Sequence, residues 1–352
     1  MKTIMVKSNS YSYDIVIENG IIKNAGTEIV KIYSGKKIAV VTDSNVYKLY
    51  GNILKKSLAE ANLEAHFIVV KPGEKSKSIE TLKYVYDKLI DLEITRSDLI
   101  IALGGGVIGD LSGFAASTYL RGIDFVQIPT SLLAQIDSSI GGKVAVNLEQ
   151  GKNLIGSFYQ PKKVIIDPEL LNTLPNNLIK DGLGEVIKYA CIKNLNLFKL
   201  LMSIKNKDEL FSSMEHIIHT CCSIKKDIVE KDERDTSIRM ALNFGHTMGH
   251  ALEKYYDYNI SHGEAVAVGM YYITRKSEEL KYTEHGTSDK IKKILVNFNI
   301  SYSLPDVDME KIRRFVLIDK KNLSGNINLI MLRKIGESFI ESVPVEKIDN
   351  FF

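Results

Sequence analysis

The chain has few residues of several types, and each shortage excludes a class of protein. Its 352 residues include no tryptophan, seven prolines and three cysteines, at positions 191, 221 and 222. The cysteines form no C-x-x-C motif, which excludes a disulfide framework and a thiolate zinc site. Arginine is also scarce, with eight residues among 46 basic ones, so an arginine inside a motif stands out.

Charge of either sign is not in excess. The 46 basic residues nearly balance 43 acidic ones, giving a net charge of +3, so we expect neither a nucleic-acid partner nor a membrane partner. The sequence begins MKTIMVKSNSYSYDIVIENG, which lacks the apolar core of a signal peptide. The longest apolar stretch, 99–120, contains Asp110 and several glycines, which favours a buried strand and helix over a membrane span. We expect a cytoplasmic location.

Apolar residues make up 45% of the chain, enough for a sizeable core, and the length suggests two domains. In the first half, short apolar runs of strand length alternate with helical patterns, which is typical of parallel βαβ units. The predicted strands are 37–43, 65–70, 98–105, 125–129 and 164–167, and the predicted helices follow 43 and cover 79–93. These apolar runs predict a sheet covered on both faces.

Beyond residues 171–176 the pattern becomes mainly helical. The predicted helices are 184–203, 207–231, 238–256, 263–280 and 288–298, and the runs 328–333 and 338–343 predict a small hairpin. We therefore expect an α/β domain followed by a helical domain.

A run of glycines, LGGGVIGD at 103–110, follows a predicted strand and opens a helix. Glycine lets the backbone approach a phosphate, and the helix N-terminus offers free N–H groups, so the loop suits a dinucleotide pyrophosphate. The spacing differs from GxGxxG, and a plain glycine turn is the alternative.

Asp43 ends an early predicted strand, where an α/β sheet binds ligands. Its carboxylate suits the hydroxyls of a ribose, although a helix N-cap fits the spacing equally well. The PGEKSKS segment at 72–78 fits either a cofactor contact or a solvated turn.

Basic residues lie among glycines in three further segments, 119–122, 137–143 and 151–153. Loops of this kind can direct lysine and asparagine side chains at phosphate oxygens, so they predict an anion site. An ordinary glycine-rich loop region is the alternative.

Three of the seven histidines, 246, 250 and 262, lie within 17 residues. His246 and His250 are spaced i, i+4 on a predicted helix, which predicts that both approach one metal ion. Glu185 could complete a zinc site with an open position. Glu185 and Lys188 share a helix face, and a surface ion pair is the alternative for them.

Six segments together resemble 3-dehydroquinate synthases. They are LGGGVIGDLSGFAASTYLRG (103–122), QIPTSLLAQIDSSIGGKVAVN (127–147), GKNLIGSFYQP (151–161), GLGEVIKYA (182–190), LNFGHTMGHALE (242–253) and HGEAVAVGM (262–270). The resemblance implies a Rossmann-like NAD-binding domain at 1–173, a mainly α-helical metal- and substrate-binding domain at 174–352, and a homodimer.

The implied reaction converts 3-deoxy-D-arabino-heptulosonate 7-phosphate, a phosphorylated sugar acid, to 3-dehydroquinate and phosphate in the shikimate pathway. The implied cofactors are catalytic NAD and Zn²⁺ or Co²⁺. NAD would remove a hydride, phosphate would leave by β-elimination, and the hydride would then return before an intramolecular aldol reaction closes the ring.

The resemblance also implies roles for individual residues. It implies that Glu185, His246 and His262 are the metal ligands. It also implies that His250 faces the substrate phosphate and assists proton transfer. The implied catalytic residues are His250, Lys188, Asp137, Asn243 and, as the weakest, Asp235. The implied NAD contacts are Asp43, Asn45, Glu74, Lys77, Gly105, Gly106, Val107, Asp110, Thr130, Ser131, Lys143, Lys152 and Thr173. The implied substrate contacts are Arg121, Asp137, Lys143, Asn153, Lys188, Lys225, Arg239, Asn243, His250 and one of Lys320 and Lys321.

Two positions depart from the family pattern. Asp235 stands where the motif often has glutamate, so it keeps the charge with one methylene less reach. Asp181 stands where the family has a small or amide residue, so no cofactor contact is expected there.

Three alternatives remain open. Another sugar-phosphate cyclase would use a substrate without a carboxylate, which Lys225 and Arg239 argue against. A metal-dependent polyol dehydrogenase would release NADH and would not need the basic cluster. A non-catalytic NAD- or metal-binding regulator would not need intact ligands.

Overall fold

The computed structural model describes residues 1–7, 12–235, 237–303, 307–320 and 325–351, with the side chains of 318–320 outside this description. The chain divides into two compact units. The first comprises residues 1–174 and 225–234, and the second comprises 175–224 and 235–352. Residues 225–234, which lie in the range expected for the second domain, thus belong to the first unit.

A seven-stranded sheet forms the centre of the first unit, in the order β1-β2-β9-β6-β5-β3-β4. Only β1 and β2 pair antiparallel, and all other neighbours are parallel. Its strands are β1 (Lys2–Lys7), β2 (Ser12–Ile17), β3 (Lys37–Asp43), β4 (Glu64–Val70), β5 (Leu99–Gly104), β6 (Asp124–Pro129) and β9 (Lys163–Ile166). The predicted α/β class with a parallel sheet is confirmed, whereas the β1–β2 pair was not predicted.

Helices cover both faces of this sheet. They are α1 (Ala25–Ile29), α2 (Ser44–Val46), α3 (Asn52–Glu60), α4 (Ile79–Asp91) and α5 (Gly106–Thr118). Along β5, Ile100 joins a core under α4 and α5, while Leu99 and Ile101 join a core under α1 and α3. Successive side chains of a strand point to opposite faces, so a fully apolar strand fills both cores.

Strands β7 (Lys143–Leu148) and β8 (Gly151–Phe158) form an antiparallel hairpin, which includes Lys143 and residues 151–153 of the segments interpreted from sequence as glycine-rich loops. The loop interpretation is therefore wrong for these residues. At Gly156, a Cβ would lie 2.3 Å from the Val144 carbonyl oxygen, so the glycine permits close strand pairing.

The second unit is mainly helical, as predicted. Its helices are α6 (Asn176–Lys193), α7 (Leu195–Ser203), α8 (Lys207–Ser212), α9 (Met214–Val229, which belongs to the first unit from residue 225), α10 (His246–Tyr255), α11 (His262–Glu279), α12 (Thr287–Asn297) and α13 (Met309–Lys320). The predicted hairpin is confirmed as β10 (Asn326–Lys334) and β11 (Glu337–Pro344). No helix among the described residues is both long enough and apolar enough to span a bilayer.

Three predicted helices are each interrupted. The segment 184–203 breaks at Asn194, whose side chain caps α7 by accepting from the Leu197 N–H at 2.9 Å. The segment 207–231 breaks at Ser213 between α8 and α9. The segment 238–256 begins as a 3-10 turn (Ile238–Asn243) and restarts after Gly245, whose φ is +80°. Capping side chains and left-handed glycines end helices that hydrophobic periodicity alone would continue.

Candidate functional site

The glycine run forms the turn between β5 and α5. Gly105 precedes the helix, and no side chain caps its first N–H groups. A Cβ on Gly105 would lie 3.3 Å from Ser131 Oγ, and one on Gly106 would lie 3.0 Å from Ser138 Oγ. This turn therefore leaves bare backbone at a helix N-terminus, an arrangement suited to a pyrophosphate.

The glycine turn lies where the strand order reverses. β4 follows β3 on one side and β5 lies on the other, so β3 and β5 flank the switch point at which such sheets bind ligands. Asp43 ends β3, and Thr130 directly follows β6. Asp43 caps α2 through Oδ1, which accepts from the N–H of Asn45 at 2.8 Å and of Val46 at 3.1 Å. The capping alternative is thus correct, and a ligand contact through Oδ2 is compatible with it.

Lys77 connects the 72–78 segment to two other elements. Its buried ammonium donates to Asp110 Oδ2, in the first turns of α5, and to Asn153 Oδ1 on β8. Burial raises the pKa of Asp110, and the Lys77 charge opposes that shift. The structure thus brings three of the expected residues into one charged cluster.

The remaining residues expected at NAD lie on the same unit. Thr173 shares a hydrogen bond with the Tyr50 hydroxyl, and Ser131 Oγ accepts from the Ala134 N–H at 3.3 Å. Val107 is half-buried in the first turn of α5. Lys143 and Lys152 lie on the β7–β8 hairpin.

Asp137 and Lys225 form a pair within the first unit. The Lys225 ammonium donates to the carbonyl oxygen and to Oδ1 of Asp137, both at 2.6 Å. Lys225 is buried, whereas Asp137 is partly exposed. Asp137 therefore holds the Lys225 ammonium in place. Arg121 lies elsewhere on this unit, exposed and with a left-handed φ of +68°.

Three ligating side chains converge in the second unit. Glu185 Oε1 lies 3.6 Å from His246 Nε2 and 3.8 Å from His262 Nε2. Glu185 is fully buried, and its Oε1 accepts no hydrogen bond from any described residue. A buried, uncompensated carboxylate oxygen facing two imidazoles has the donor set of a catalytic zinc or cobalt site with an open position.

Each of the two histidines is oriented by its other ring nitrogen. His246 Nδ1 lies 3.1 Å from the Phe244 carbonyl oxygen, which fixes a proton there and leaves Nε2 as an acceptor. Burial, with the Lys188 charge and the other histidines, holds the pKa of His246 well below its usual value. His262 Nδ1 lies 3.4 Å from Glu253 Oε2, a carboxylate–histidine arrangement common behind zinc ligands.

Glycines allow the helices that bear these ligands to touch. A Cβ on Gly184 would lie 2.4 Å from the Gly263 carbonyl oxygen, and one on Gly263 would lie 1.9 Å from the Asp181 carbonyl oxygen. These positions are adjacent to Glu185 on α6 and His262 on α11. Direct backbone contact therefore sets the distance between the two ligands.

His250 was predicted from i, i+4 spacing to join His246 as a ligand. Their ring centroids are 5.4 Å apart, but the donor atoms that cluster with Glu185 are those of His246 and His262. His250 belongs to a second cluster, with Glu253 and His262. The geometry thus favours the ligand set implied by the resemblance, because His262 starts the next helix and reaches the same point.

Other expected residues surround this cluster in the second unit. The Lys188 ammonium donates to Glu185 Oε2 and lies 4.8 Å from the Tyr189 ring centroid. Both members of this ion pair are buried, so the alternative of a surface ion pair is excluded. Arg239 is buried, Asn243 ends the 3-10 turn, and Asp235 has a left-handed φ of +60°. Lys321 and the Lys320 side chain lie outside the described residues.

Three polar residues at these sites make contacts that the sequence did not predict. Asp181 accepts from the Gly263 N–H at 2.6 Å, and Glu253 lies behind His262. Asn147 joins Glu74 to Asn153. The motifs contain Glu253 and Asn147, but only the fold shows which partners they contact.

Comparison with known proteins identifies relatives across nearly the whole chain. The family described as 3-dehydroquinate synthase N-terminal matches residues 67–181, and the family described as 3-dehydroquinate synthase C-terminal matches residues 182–322. The 3-dehydroquinate synthase of Clostridium beijerinckii is 51% identical over 347 residues, covering 98% of this chain and 99% of the relative.

Two solved structures share the fold. A 2-deoxy-scyllo-inosose synthase, solved with carbaglucose-6-phosphate, NAD⁺ and Co²⁺, is 24% identical, with a TM-score of 0.88 and full coverage of both chains. The 2-epi-5-epi-valiolone synthase of Streptomyces hygroscopicus subsp. jinggangensis 5008, solved with NAD⁺ and Zn²⁺, is 25% identical with a TM-score of 0.87. It covers 99% of this chain and 97% of its own.

Proposed function

The chain belongs to the 3-dehydroquinate synthase family, and from this premise we propose how its residues act. The enzyme is a carbon–oxygen lyase that converts 3-deoxy-D-arabino-heptulosonate 7-phosphate to 3-dehydroquinate and phosphate in the shikimate pathway. The observation that carries the residue assignments is the buried Glu185 oxygen facing the two imidazoles.

NAD is assigned to the switch point of the first unit. The bare backbone at Gly105 and Gly106 accommodates a pyrophosphate, and a side chain at either position would contact Ser131 or Ser138. The remaining contacts are Asp43, Asn45, Glu74, Lys77, Val107, Asp110, Thr130, Ser131, Lys143, Lys152 and Thr173. When bound, NAD supplies a hydride acceptor that is regenerated within one turnover.

Glu185, His246 and His262 are assigned to a divalent metal, Zn²⁺ or Co²⁺. Two imidazoles and one carboxylate are ligands that Zn²⁺ and Co²⁺ accept, and the metal would be a partner for the Glu185 oxygen that has no hydrogen bond from a described residue. When bound, the metal supplies a Lewis acid that favours ionisation of the hydroxyl to be oxidised. Lys188 holds the second oxygen of Glu185, which keeps Oε1 directed at the histidines.

Charged and polar side chains are assigned to the substrate. Arg239 and Lys225 bind its carboxylate, Arg239 through a planar pair of donors and Lys225 as the ammonium held by Asp137. The ring hydroxyls and phosphate are assigned to Arg121, Asp137, Lys143, Asn153, Lys188, Asn243, His250 and one of Lys320 and Lys321. Held in this way, the phosphate can take a proton from the adjacent carbon and leave.

His250 is assigned to proton transfer beside that phosphate. Its ring centroid lies 6.1 Å from that of His262, so the imidazole lies beside the proposed metal site, and an imidazole can serve as a general acid or base. Asp235 keeps its weaker assignment to proton transfer, because its side chain is one methylene shorter than the glutamate of the family motif.

A homodimer is proposed from the exposed surface of β8. Leu154 is 59% exposed and Phe158 is 48% exposed on this strand, which pairs on one side with β7. An apolar edge strand is a ready surface for a second copy. Arg121, exposed in its left-handed turn, would then be able to reach the phosphate bound by that copy.

A cytoplasmic location is proposed from the cysteines. Cys191, Cys221 and Cys222 are all buried, and none of the three forms a disulfide, as in proteins of reducing compartments. Burial raises the pKa of the Cys191 thiol, which keeps it unreactive.

The substrate assignment is tested by comparing sugar phosphates with and without a carboxylate. Phosphate release from the heptulosonate phosphate should exceed release from glucose 6-phosphate by at least about 100-fold, because the latter leaves Arg239 and Lys225 without their anion. In the double variant Arg239→Met, Lys225→Met this preference should collapse. Equal release from both sugars by the unmodified enzyme would contradict the assignment.

A further inference from the structure

The Asn147 side chain joins two groups of residues in the first unit. We infer that Asn147 is a positioning residue that couples NAD binding to phosphate binding. The inference rests on the proposed function, which assigns Glu74 and Lys77 to NAD and Asn153 to phosphate.

Both ends of the Asn147 amide are used. Its Nδ2 donates to Glu74 Oε1 at 2.7 Å, and its Oδ1 accepts from the Asn153 N–H at 2.8 Å. Its backbone N–H donates to the Lys77 carbonyl oxygen at 2.8 Å. The position needs a donor and an acceptor on one short planar group, which asparagine has and aspartate lacks.

Asn153 is held in a conformation that needs support. Its φ is +58°, in the left-handed region that non-glycine residues rarely adopt. The hydrogen bond from its N–H to Asn147 fixes this backbone, and its side-chain oxygen accepts from the Lys77 ammonium. Without Asn147, Asn153 keeps only one of these two contacts.

These hydrogen bonds connect the 72–78 segment, β7 and β8 in a closed ring of contacts. Glu74 and Lys77 belong to one segment, Asn147 is the penultimate residue of β7, and Asn153 lies on β8. Lys77 also donates to Asp110 on the helix that follows the glycine turn. NAD that fixes Glu74 and Lys77 therefore also fixes Asn153 in the conformation in which it meets phosphate. The entropy cost of ordering falls on the first ligand, so the second binds more tightly, and the effect is reciprocal.

The test is isothermal titration of the zinc-loaded full-length enzyme with inorganic phosphate, with and without saturating NAD⁺. In the unmodified enzyme, NAD⁺ should lower the phosphate Kd about fivefold or more. In Asn147→Ala the ratio of the two Kd values should fall to about one. An unchanged ratio in that variant, or a ratio of one in the unmodified enzyme, overturns the inference.

Asn147→Asp separates coupling from folding. It keeps the acceptor for the Asn153 N–H but places a second carboxylate against Glu74, so phosphate should still bind without NAD⁺ while the ratio falls to about one. Retention of the ratio in Asn147→Asp overturns the inference even if Asn147→Ala does not fold.

The matched control is Asn206→Ala. Asn206 makes the same pair of contacts with one residue, donating to Glu209 Oε1 at 3.0 Å and accepting from the Glu209 N–H at 2.9 Å, at the exposed start of α8. In Asn206→Ala, the ratio of the phosphate Kd values without and with NAD⁺ should equal that of the unmodified enzyme. Failure of the unmodified enzyme to bind NAD⁺ or phosphate at all would instead contradict the proposed function.

Discussion

At the scale of single residues, the fully buried Glu185 has, among the described residues, one carboxylate oxygen with a hydrogen bond and one without. One oxygen accepts from Lys188, and the other is buried against two imidazoles without a hydrogen bond from any described residue. The Lys188 ammonium pairs with the charge of Glu185, but a buried carboxylate oxygen without a hydrogen bond is still costly, and a metal ion held by Oε1 and the two imidazoles would satisfy it. The environment of Glu185 therefore supports a metal site without reference to any related protein.

Glu185→Gln should weaken zinc binding by at least about 100-fold, because a neutral amide is a poorer ligand than a carboxylate. Competition with a chromophoric chelator measures this affinity without an activity assay. Glu346→Gln, at an exposed position, should bind zinc as the unmodified enzyme does. Equal zinc affinity in the Glu185 and Glu346 variants would contradict the assignment of Glu185 as a metal ligand.

Asp43 has a structural and a proposed binding role, and two variants separate them. Asn is as good an N-cap as Asp, so Asp43→Asn should leave the free energy of unfolding nearly unchanged, whereas Asp43→Ala should lower it by about 1 kcal/mol. Both should weaken NAD⁺ binding about tenfold, because the carboxylate that accepts from ribose is lost. Denaturant unfolding and fluorescence titration of NADH measure the two effects. If NADH binds both variants normally, Asp43 is a cap alone.

At the scale of secondary-structure elements, the site depends on how closely α6, α10 and α11 approach. Gly184 and Gly263 bring α6 against α11, and a Cβ on Gly269 would lie 2.1 Å from the Gly245 carbonyl oxygen before α10. Small residues at helix crossings shorten the distance between backbones, and here they set the spacing of three ligands. The glycines in these motifs therefore have a packing reason.

Gly184→Ala should lower the free energy of unfolding by about 1–3 kcal/mol and weaken zinc binding, because the added methyl forces α6 from α11. Gly151→Ala is the control, since its methyl would meet only the Leu154 side chain, at 3.4 Å. Thermal unfolding with and without zinc measures both effects. A Gly184 variant that is as stable and binds zinc as tightly as the control would contradict close packing as the origin of the site.

The elements also show what periodicity can predict. The parallel strands β3, β4, β5, β6 and β9 and the β10–β11 hairpin were predicted because their apolar runs are nearly continuous, whereas β2, which pairs parallel with β9, was missed. The hairpin of β7 and β8 was missed because β8 is largely exposed and lacks a buried face, and α13 was missed altogether. His262 could be assigned as a ligand only by resemblance, since spacing along one helix does not show where the next helix begins.

At the scale of the whole molecule, the proposed dimer rests on the exposed apolar side chains of β8. The double variant Leu154→Asp, Phe158→Asp should be monomeric by sedimentation velocity, because charges replace the exposed apolar side chains. Arg121→Ala should stay dimeric but raise the KM for the phosphorylated substrate about tenfold or more. A monomeric unmodified enzyme at micromolar concentration would contradict the proposed dimer.

In the proposed reaction, one enzyme oxidises the substrate, eliminates phosphate from it and then returns the hydride to it, so NAD is not consumed. The most direct measurement is the stoichiometry of phosphate and NADH during turnover of the heptulosonate phosphate with catalytic NAD⁺ and zinc. We expect many equivalents of phosphate per NAD⁺, with no net absorbance at the NADH band. Accumulation of NADH without phosphate would contradict it and would indicate a polyol dehydrogenase instead.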